Sequence, residues 1–74
     1  MTNGNIHNYI KNRLICVRRE KNLTQEELAG RLNFSQAWLS KIESGKKNVN
    51  LETLNNLAKA LNCRIYDLLP EYPL

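Results

Sequence analysis

The stretch from Thr24 to Lys47, TQEELAGRLNFSQAWLSKIESGKK, constrains the fold of this chain more than any other part of it. Thr24, followed three residues later by Glu27, forms a capping-box pattern, and Ser35 is a second helix-start residue. Asn33 is the predicted turn residue, because asparagine tolerates the left-handed backbone conformation. Gly45 is expected to end the helix that starts at Ser35, the third of the chain. The stretch therefore predicts two short helices joined by a turn of about three residues, too tight to hold a pocket.

Apolar residues recur at helical spacing in the rest of the chain, and both prolines lie within the last five residues. We predict a first helix over about 8–21, a fourth helix over about 51–61 that begins after Asn50, and a last helical turn over about 65–69. Asn22 and Asn62 are the expected ends of the first and fourth helices. The residues expected to face the core are Ile10, Leu14, Val17, Leu28, Ala29, Leu32, Leu39, Ile42, Leu51, Leu54, Leu57, Ala58 and Leu61. Phe34 and Leu39 are expected to form a hydrophobic staple at the start of the third helix. The prediction is an all-α fold of five helices.

Length and composition limit the possible functions. A chain of 74 residues predicts a single domain, 1–74, whose core is too small for a deep substrate pocket. No apolar run approaches the roughly 20 residues of a membrane span, and the first ten residues do not resemble a secretory signal. Cys16, Cys63 and His7 lack metal-type spacing, so we expect reduced, buried or partly buried thiols and no metal, disulfide or cofactor.

The basic residues are unevenly distributed. Residues 11–47 hold nine of the eleven Lys and Arg and four of the seven Asp and Glu, whereas residues 48–74 hold two and three. The first segment thus carries a charge of +5 and the second −1, from the same counts. This asymmetry suggests an anionic partner for the first segment, and an ordinary solvated surface is the alternative.

The third helix is predicted to have a small, polar outer face. If Leu39 and Ile42 point inward, the outward residues are Ala37, Ser40, Lys41 and Ser44, flanked by Gln36 and Trp38. Such a helix can enter the major groove of DNA, where Gln pairs with adenine, Lys donates to guanine and an Ala methyl contacts thymine. Two anion sites would border it: the start of the second helix at Gln25 and Glu26, and the basic loop 46–48. Solvent-facing residues without a partner are the alternative.

The segment LTQEELAGRLNFSQAWLSKIESG, with NLETLNNLAKALNC and IYDLL after it, resembles the Cro/CI (XRE-type) helix-turn-helix regulators over about residues 9–69. This resemblance implies a compact, five-helix, lambda-repressor-like domain that binds double-stranded DNA. It implies base-reading residues Gln36, Ala37, Ser40 and Lys41, and phosphate-binding residues Gln25, Ser35, Lys46, Lys47 and Asn48. It also implies a structural ion pair between Arg18 and Glu43.

The chain departs from the family pattern at several positions. Asn33 replaces the usual turn glycine, and Val49 replaces a frequent proline. Arg64 replaces the usual cap of the fifth helix, so this helix is expected to begin irregularly. Trp38 is unusually bulky, and we expect it to pack on the second helix rather than stack on a base. Ile15 and Cys16 occupy usually polar positions, covered either by the N-terminal ten residues or by a partner.

The leading functional hypothesis is a cytoplasmic transcriptional regulator of phage-repressor or restriction–modification controller type. It would bind a near-palindromic operator as a homodimer, without a small-molecule ligand. The expected dimer interface comprises Ile65, Tyr66, Leu69, Tyr72 and Leu74. The alternative is an antitoxin-type interaction module with autoregulatory DNA binding. Enzymatic activity is not expected, because the chain has one histidine and no glycine-rich phosphate loop.

Overall fold

The computed structural model of the chain describes residues 6–70. Its helices are α1 (Ile6–Glu20), α2 (Gln25–Arg31), α3 (Gln36–Glu43) and α4 (Leu51–Ala60), followed by a 3₁₀ helix at Ile65–Leu68. No strand occurs within residues 6–70, and the predicted all-α class is confirmed.

The predicted helix starts are confirmed by side-chain hydrogen bonds. The hydroxyl of Thr24 accepts the backbone N–H of Glu27 at 3.0 Å, and the Glu27 carboxylate accepts the backbone N–H of Thr24 at 2.8 Å. These two hydrogen bonds, the backbone one foremost, lower the pKa of Glu27. Ser35 caps α3 by accepting from Trp38 N at 3.1 Å, and Asn50 caps α4 by accepting from Thr53 N at 2.8 Å. Each cap satisfies a helix N–H that has no intrahelical partner.

The predicted helix ends are also confirmed. Asn22, Asn33 and Asn62 have φ values of 59°, 61° and 58°, and Gly45 has a φ of 84°. These left-handed residues turn the chain sharply after α1, α2, α3 and α4. The 3₁₀ helix starts irregularly, as predicted: the Arg64 side chain makes no cap hydrogen bond, and Asp67 Oδ2 accepts the backbone N–H of Arg64 at 2.9 Å.

Twelve buried apolar side chains form one core at the centre of the helices. They are Ile10, Leu14, Val17, Leu28, Ala29, Leu39, Ile42, Leu54, Leu57, Ala58, Leu61 and Leu68. Leu32 is half-buried and packs against this core. The prediction that Leu51 faces the core is wrong, because 68% of this residue is exposed. Leu51 is the first residue of α4, and helical periodicity alone does not specify how far along a helix the core extends.

Phe34, the residue predicted to form a staple with Leu39, makes an aromatic contact that was not predicted. The Phe34 ring stacks on the ring of Trp38, with centroids 4.2 Å apart and an interplanar angle of 16°, while Leu39 is fully buried. Phe34 remains 51% exposed, and Trp38 is half-buried against the core. A stacked aromatic pair of this kind contributes about 0.5–1.5 kcal/mol beyond the apolar area that it buries.

One interpretation expected the first ten residues to cover Ile15 and Cys16, and residues 6–10 do not do so. Residues 6–10 instead form the first turns of α1 itself, and residues 1–5 lie outside the described residues. Cys16 is exposed, which corrects the expected burial of both thiols, and Cys63 is half-buried. Burial raises the pKa of the Cys63 thiol, with a smaller contribution from the nearby Asp67. No helix within residues 6–70 is both long and apolar enough to cross a membrane.

Candidate nucleic-acid interface

The outer face of α3 is presented to solvent as its periodicity predicts. Leu39 and Ile42 are buried, whereas Gln36, Ala37 and Lys41 are exposed. Ser44 is exposed as well, and Ser40 is partly buried. The face therefore offers one amide, one methyl, hydroxyls and one ammonium group along a single side of a short helix. These groups match the hydrogen-bonding and methyl groups on base edges in a major groove.

An ion pair anchors the inner side of α3 to α1. Arg18 Nε donates to Glu43 Oε2 at 2.7 Å, and Arg18 Nη2 donates to Glu43 Oε1 at 3.0 Å, in a bidentate pair. The two side chains are only 9% and 5% exposed. Arg18 Nη1 also donates to the carbonyl of Leu23 at 2.7 Å, immediately before the cap of α2. One guanidinium thus joins α1, the start of α2 and the end of α3.

A chain of side-chain amides leads from this ion pair to the surface. Gln25 Nε2 donates to Glu43 Oε1 at 2.9 Å, and Gln36 Nε2 donates to Gln25 Oε1 at 2.6 Å. The sequence predicted a phosphate contact for Gln25 and did not predict this arrangement. The sequence identified Gln25, Gln36 and Glu43 as candidate residues, but their contact with one another depends on how closely α2 and α3 approach.

The basic loop 46–48 is held against the end of α3. The backbone N–H groups of Lys46 and Lys47 both donate to the carbonyl of Lys41, at 2.9 and 3.1 Å, and Gly45 N donates to Ile42 O at 3.1 Å. The left-handed Gly45 makes this return possible. Lys46, Lys47 and Asn48 are exposed on the resulting loop.

Two further polar residues, which the sequence did not single out, lie beside the loop. His7 and Lys11 of α1 line a shallow depression together with Lys47 and Asn48. The Lys11 ammonium nitrogen is 4.0 Å from the position a Cβ would occupy at Gly45. Because His7 and Lys11 are four residues apart in α1, they share a face of that helix. Helical spacing could have paired them, but only the fold brings them to the loop.

Several arginines counted as basic surface have structural roles. Arg13 Nε donates to the carbonyl of Asp67 at 3.0 Å, and Arg31 Nη1 donates to the carbonyl of Ala60 at 2.8 Å. Arg18 is paired with Glu43. The positive charge that faces solvent next to α3 therefore comes chiefly from lysines: Lys41, Lys46 and Lys47, with half-buried Lys11 behind them.

The candidate dimer residues differ in exposure. Ile65 and Leu69 are half-buried and pack against the core, and Leu68 is fully buried. Tyr66 is 73% exposed. Tyr72 and Leu74 lie outside the described residues.

This arrangement of α2 and α3 defines the class of helix-turn-helix proteins, and a helix-turn-helix family (HTH_3) matches residues 17–68. The chain belongs to this helix-turn-helix family, whose XRE-type members include the relatives below.

Two relatives and one solved structure illustrate the similarity. An uncharacterized HTH-type transcriptional regulator, y4dJ, of Sinorhizobium fredii is 53% identical over 61% of this chain and 58% of its own length. The immunity repressor protein of Bacillus phage phi105 is 36% identical over 80% of this chain and 41% of its own length. This chain thus spans about half the length of these relatives. The restriction–modification controller protein C.AhdI of Aeromonas hydrophila has a TM-score of 0.76 and 32% identity, covering 81% of this chain and 87% of its own.

Proposed function

We propose that this protein is a transcriptional regulator that binds double-stranded DNA in a sequence-specific manner, with α3 in the major groove. The single observation that carries the proposal is the exposed, acid-free outer face of α3, bordered by the lysine loop 46–48. The only acid of α3, Glu43, is turned into the core, where it is paired with Arg18. Support also comes from the relatives, which are named as a transcriptional regulator, an immunity repressor and a controller protein.

Base reading is assigned to Gln36, Ala37, Ser40 and Lys41, as the resemblance implies. Gln36 lies at the first position of α3, the end of a recognition helix that contacts base edges in this class of motif. Lys41 follows just over one turn later and is exposed. The Phe34–Trp38 stack lies at the same end of α3, where it supports the turn between α2 and α3.

Phosphate contacts are assigned to Gln25, Ser35, Lys46, Lys47 and Asn48. The lysine loop is expected to contribute more than the start of α2, because Glu26 and Glu27 lie in the first turn of α2 and oppose an incoming phosphate. His7 and Lys11 extend the basic loop on its other side. The sugar–phosphate backbone of one DNA strand would therefore be held mainly at the C-terminal end of α3.

The regulator is further proposed to act in the cytoplasm as a homodimer on a near-palindromic operator, without a cofactor. One α3 reads only a few base pairs, too few to distinguish a site among many competing sequences. Two copies related by two-fold symmetry would place their helices about 34 Å apart, in successive major grooves. The antitoxin alternative gains no support from these three similar proteins, and catalysis is not proposed.

The proposal is tested by selecting a preferred duplex from a random pool and measuring competition with single-base variants of it. Gln36→Ala is expected to relax the preference at one or two base pairs per half-site, at a cost of about 1–3 kcal/mol. Lys47→Ala is the matched control, because loss of a phosphate contact weakens all sequences alike. If both variants lose affinity and neither changes preference, the assignment of α3 to the groove is wrong.

A further inference from the structure

We propose that the stacked rings of Phe34 and Trp38 form a specificity-determining subsite that reads the C5-methyl group of a pyrimidine, the group that distinguishes thymine from uracil. The inference rests on the proposed function, because it concerns which bases the DNA interface prefers. Its basis is a hollow of about 250 Å³ between α3 and the loop that follows it, which both rings line.

The residues that line this hollow are of two kinds. Phe34, Trp38, Ile42 and Val49 are apolar, and the others are the polar residues 47–48 of the loop and those at the start of α4. None of the lining residues is acidic, so the hollow does not repel a DNA strand. A lining that combines rings with a lysine suits a group that carries a methyl close to a phosphate, as a thymidine nucleotide does.

The place of the hollow beside the outer face of α3 follows from helical geometry. At one flank of this face, Gln36 contacts Gln25 at the start of α2 at 2.6 Å. Trp38 lies about 200° around the helix axis from Gln36 and lines the hollow together with Lys47. The start of α2 and the lysine loop are the two proposed phosphate sites. The hollow therefore lies between the base-reading face and the DNA strand that the loop would hold.

The chemistry of the major groove indicates what meets this part of α3. The C5 position of a pyrimidine lies at the margin of its base edge, next to the sugar and phosphate of its own strand. Thymine carries a methyl group there, and apolar side chains, phenylalanine among them, recognise it by contact. Cytosine and uracil carry only a hydrogen atom at C5. An apolar surface between a base-reading face and a phosphate contact thus favours a C5-methylated pyrimidine.

The Phe34 ring is held in position before DNA binds. The backbone N–H of Phe34 donates to the carbonyl of Ala29 at 3.0 Å, directly after the left-handed residue Asn33. Its ring stacks at 4.2 Å on that of Trp38, which packs against the core. Phe34 is nevertheless 51% exposed, so part of its surface is free for DNA. A contact made by a side chain that is already ordered loses little conformational entropy on binding.

The test removes one methyl group from the DNA and leaves its hydrogen-bonding groups unchanged. In the preferred duplex, each thymine is replaced in turn by uracil, and affinity is measured by competition. At one position in each half-site, the wild type is expected to lose about 4-fold in affinity, which corresponds to about 0.8 kcal/mol for one buried methyl-sized group. Cytosine and 5-methylcytosine, both opposite guanine, are compared at the same position, and the methylated base is expected to bind about 4-fold more tightly.

Phe34→Ala then identifies the residue responsible, since Ala37 is also expected to contact a thymine methyl. At the position found with the wild type, this variant is expected to bind the thymine and uracil duplexes equally. Leu51→Ala is the matched control, because Leu51 is exposed and apolar but does not line the hollow, and it should keep the full methyl effect. Circular dichroism establishes first that both variants are folded.

A second measurement needs no variant. In the complex of the wild type with DNA, the methyl protons of that thymine are expected to show nuclear Overhauser effects to the Phe34 ring and an upfield shift caused by the ring currents. The chain has one phenylalanine and one tryptophan, so the ring signals are assigned directly. A thymine methyl that shows neither effect would overturn the inference.

Other outcomes also count against the subsite. A wild type that binds every uracil duplex as tightly as the thymine duplex would overturn the inference. The same holds if folded Phe34→Ala keeps the full methyl effect, or if it weakens all duplexes alike, because the hollow would then hold a sugar of the DNA backbone. These results leave the proposed function standing. If the wild type selects no sequence from a random pool, the proposed function fails and the subsite fails with it.

Discussion

At the scale of single residues, Arg18 and Glu43 form a buried ion pair in the interior of a very small protein. A core of twelve apolar side chains leaves little stability in reserve, so an unpaired charge in that core would be costly. Two hydrogen bonds join Arg18 to Glu43, and a third joins Arg18 to the carbonyl of Leu23. The buried charges therefore have hydrogen-bond partners inside the protein. The sequence resemblance implied this pair, and its energetic weight follows from its burial.

Glu43→Ala is expected to destabilise the fold by about 3–5 kcal/mol, because it leaves the Arg18 charge buried without a partner. Thermal unfolding followed by circular dichroism measures this loss. Arg64→Ala is the matched control: Arg64 faces Asp67 at 3.9 Å with a side chain that is 79% exposed, so its removal should cost less than about 1 kcal/mol. Equal melting temperatures for Glu43→Ala and the wild type would contradict this account.

At the scale of helices and turns, four left-handed residues separate the helices within residues 6–70. Three of them are asparagines, which adopt positive φ at moderate cost, and the fourth is Gly45 with a φ of 84°. Gly45 also sets the direction of the lysine loop, because the backbone that follows it folds back to hydrogen-bond with the carbonyl of Lys41.

The two glycines of residues 6–70 should respond to alanine with opposite signs. Gly45→Ala meets no close atom, the nearest being Lys11 Cδ at 3.8 Å, but it forces a side chain into a left-handed conformation at a cost of about 1–2 kcal/mol. Gly30 lies within α2, and a Cβ there would have nothing within 4 Å. Gly30→Ala should therefore stabilise the fold by about 0.5–1 kcal/mol. Chemical denaturation of both variants tests the pair; stabilisation by Gly45→Ala would be incompatible with the turn described.

At the scale of the whole molecule, the proposed DNA-binding and dimer surfaces lie on different elements. Lys41 lies on α3 and Lys46 and Lys47 on the loop that follows it, whereas the 3₁₀ helix carries exposed Tyr66 next to partly buried Ile65 and Leu69. In the proposed dimer, two copies are joined through the 3₁₀ helices.

Operator binding by the proposed dimer should depend strongly on salt. Gln25, Lys46, Lys47 and Asn48 from both copies could make about 6–10 phosphate contacts, so affinity should fall about 10³–10⁵-fold between 50 and 200 mM salt. Fluorescence anisotropy of a labelled operator over that range measures the slope. An affinity that stays constant over the range would reject the proposed phosphate contacts.

Assembly is best tested at Tyr66, because Leu69 also packs on the monomer core. Tyr66→Asp places a charge on a side chain that is 73% exposed, so it should shift sedimentation toward the monomer and weaken operator binding while leaving the helix content unchanged. Leu51→Gln, at another exposed apolar residue, is the control and should sediment like the wild type. A wild type that sediments as a monomer and still binds one half-site tightly would contradict the dimer.

The sequence by itself determined the helices, their caps and the turn residues, because capping hydrogen bonds and left-handed turns act between residues that are close along the chain. It also indicated which face of α3 is outward, through the spacing of Leu39 and Ile42. The stack of Phe34 on Trp38 is local as well, because the two residues are four apart, although it was not predicted. Only the tertiary structure decided how far the core extends, leaving Leu51 exposed. The same is true of the chain from Glu43 through Gln25 to Gln36 and of Lys11 beside the loop, because these contacts join residues distant in sequence whose distances are set by helix packing.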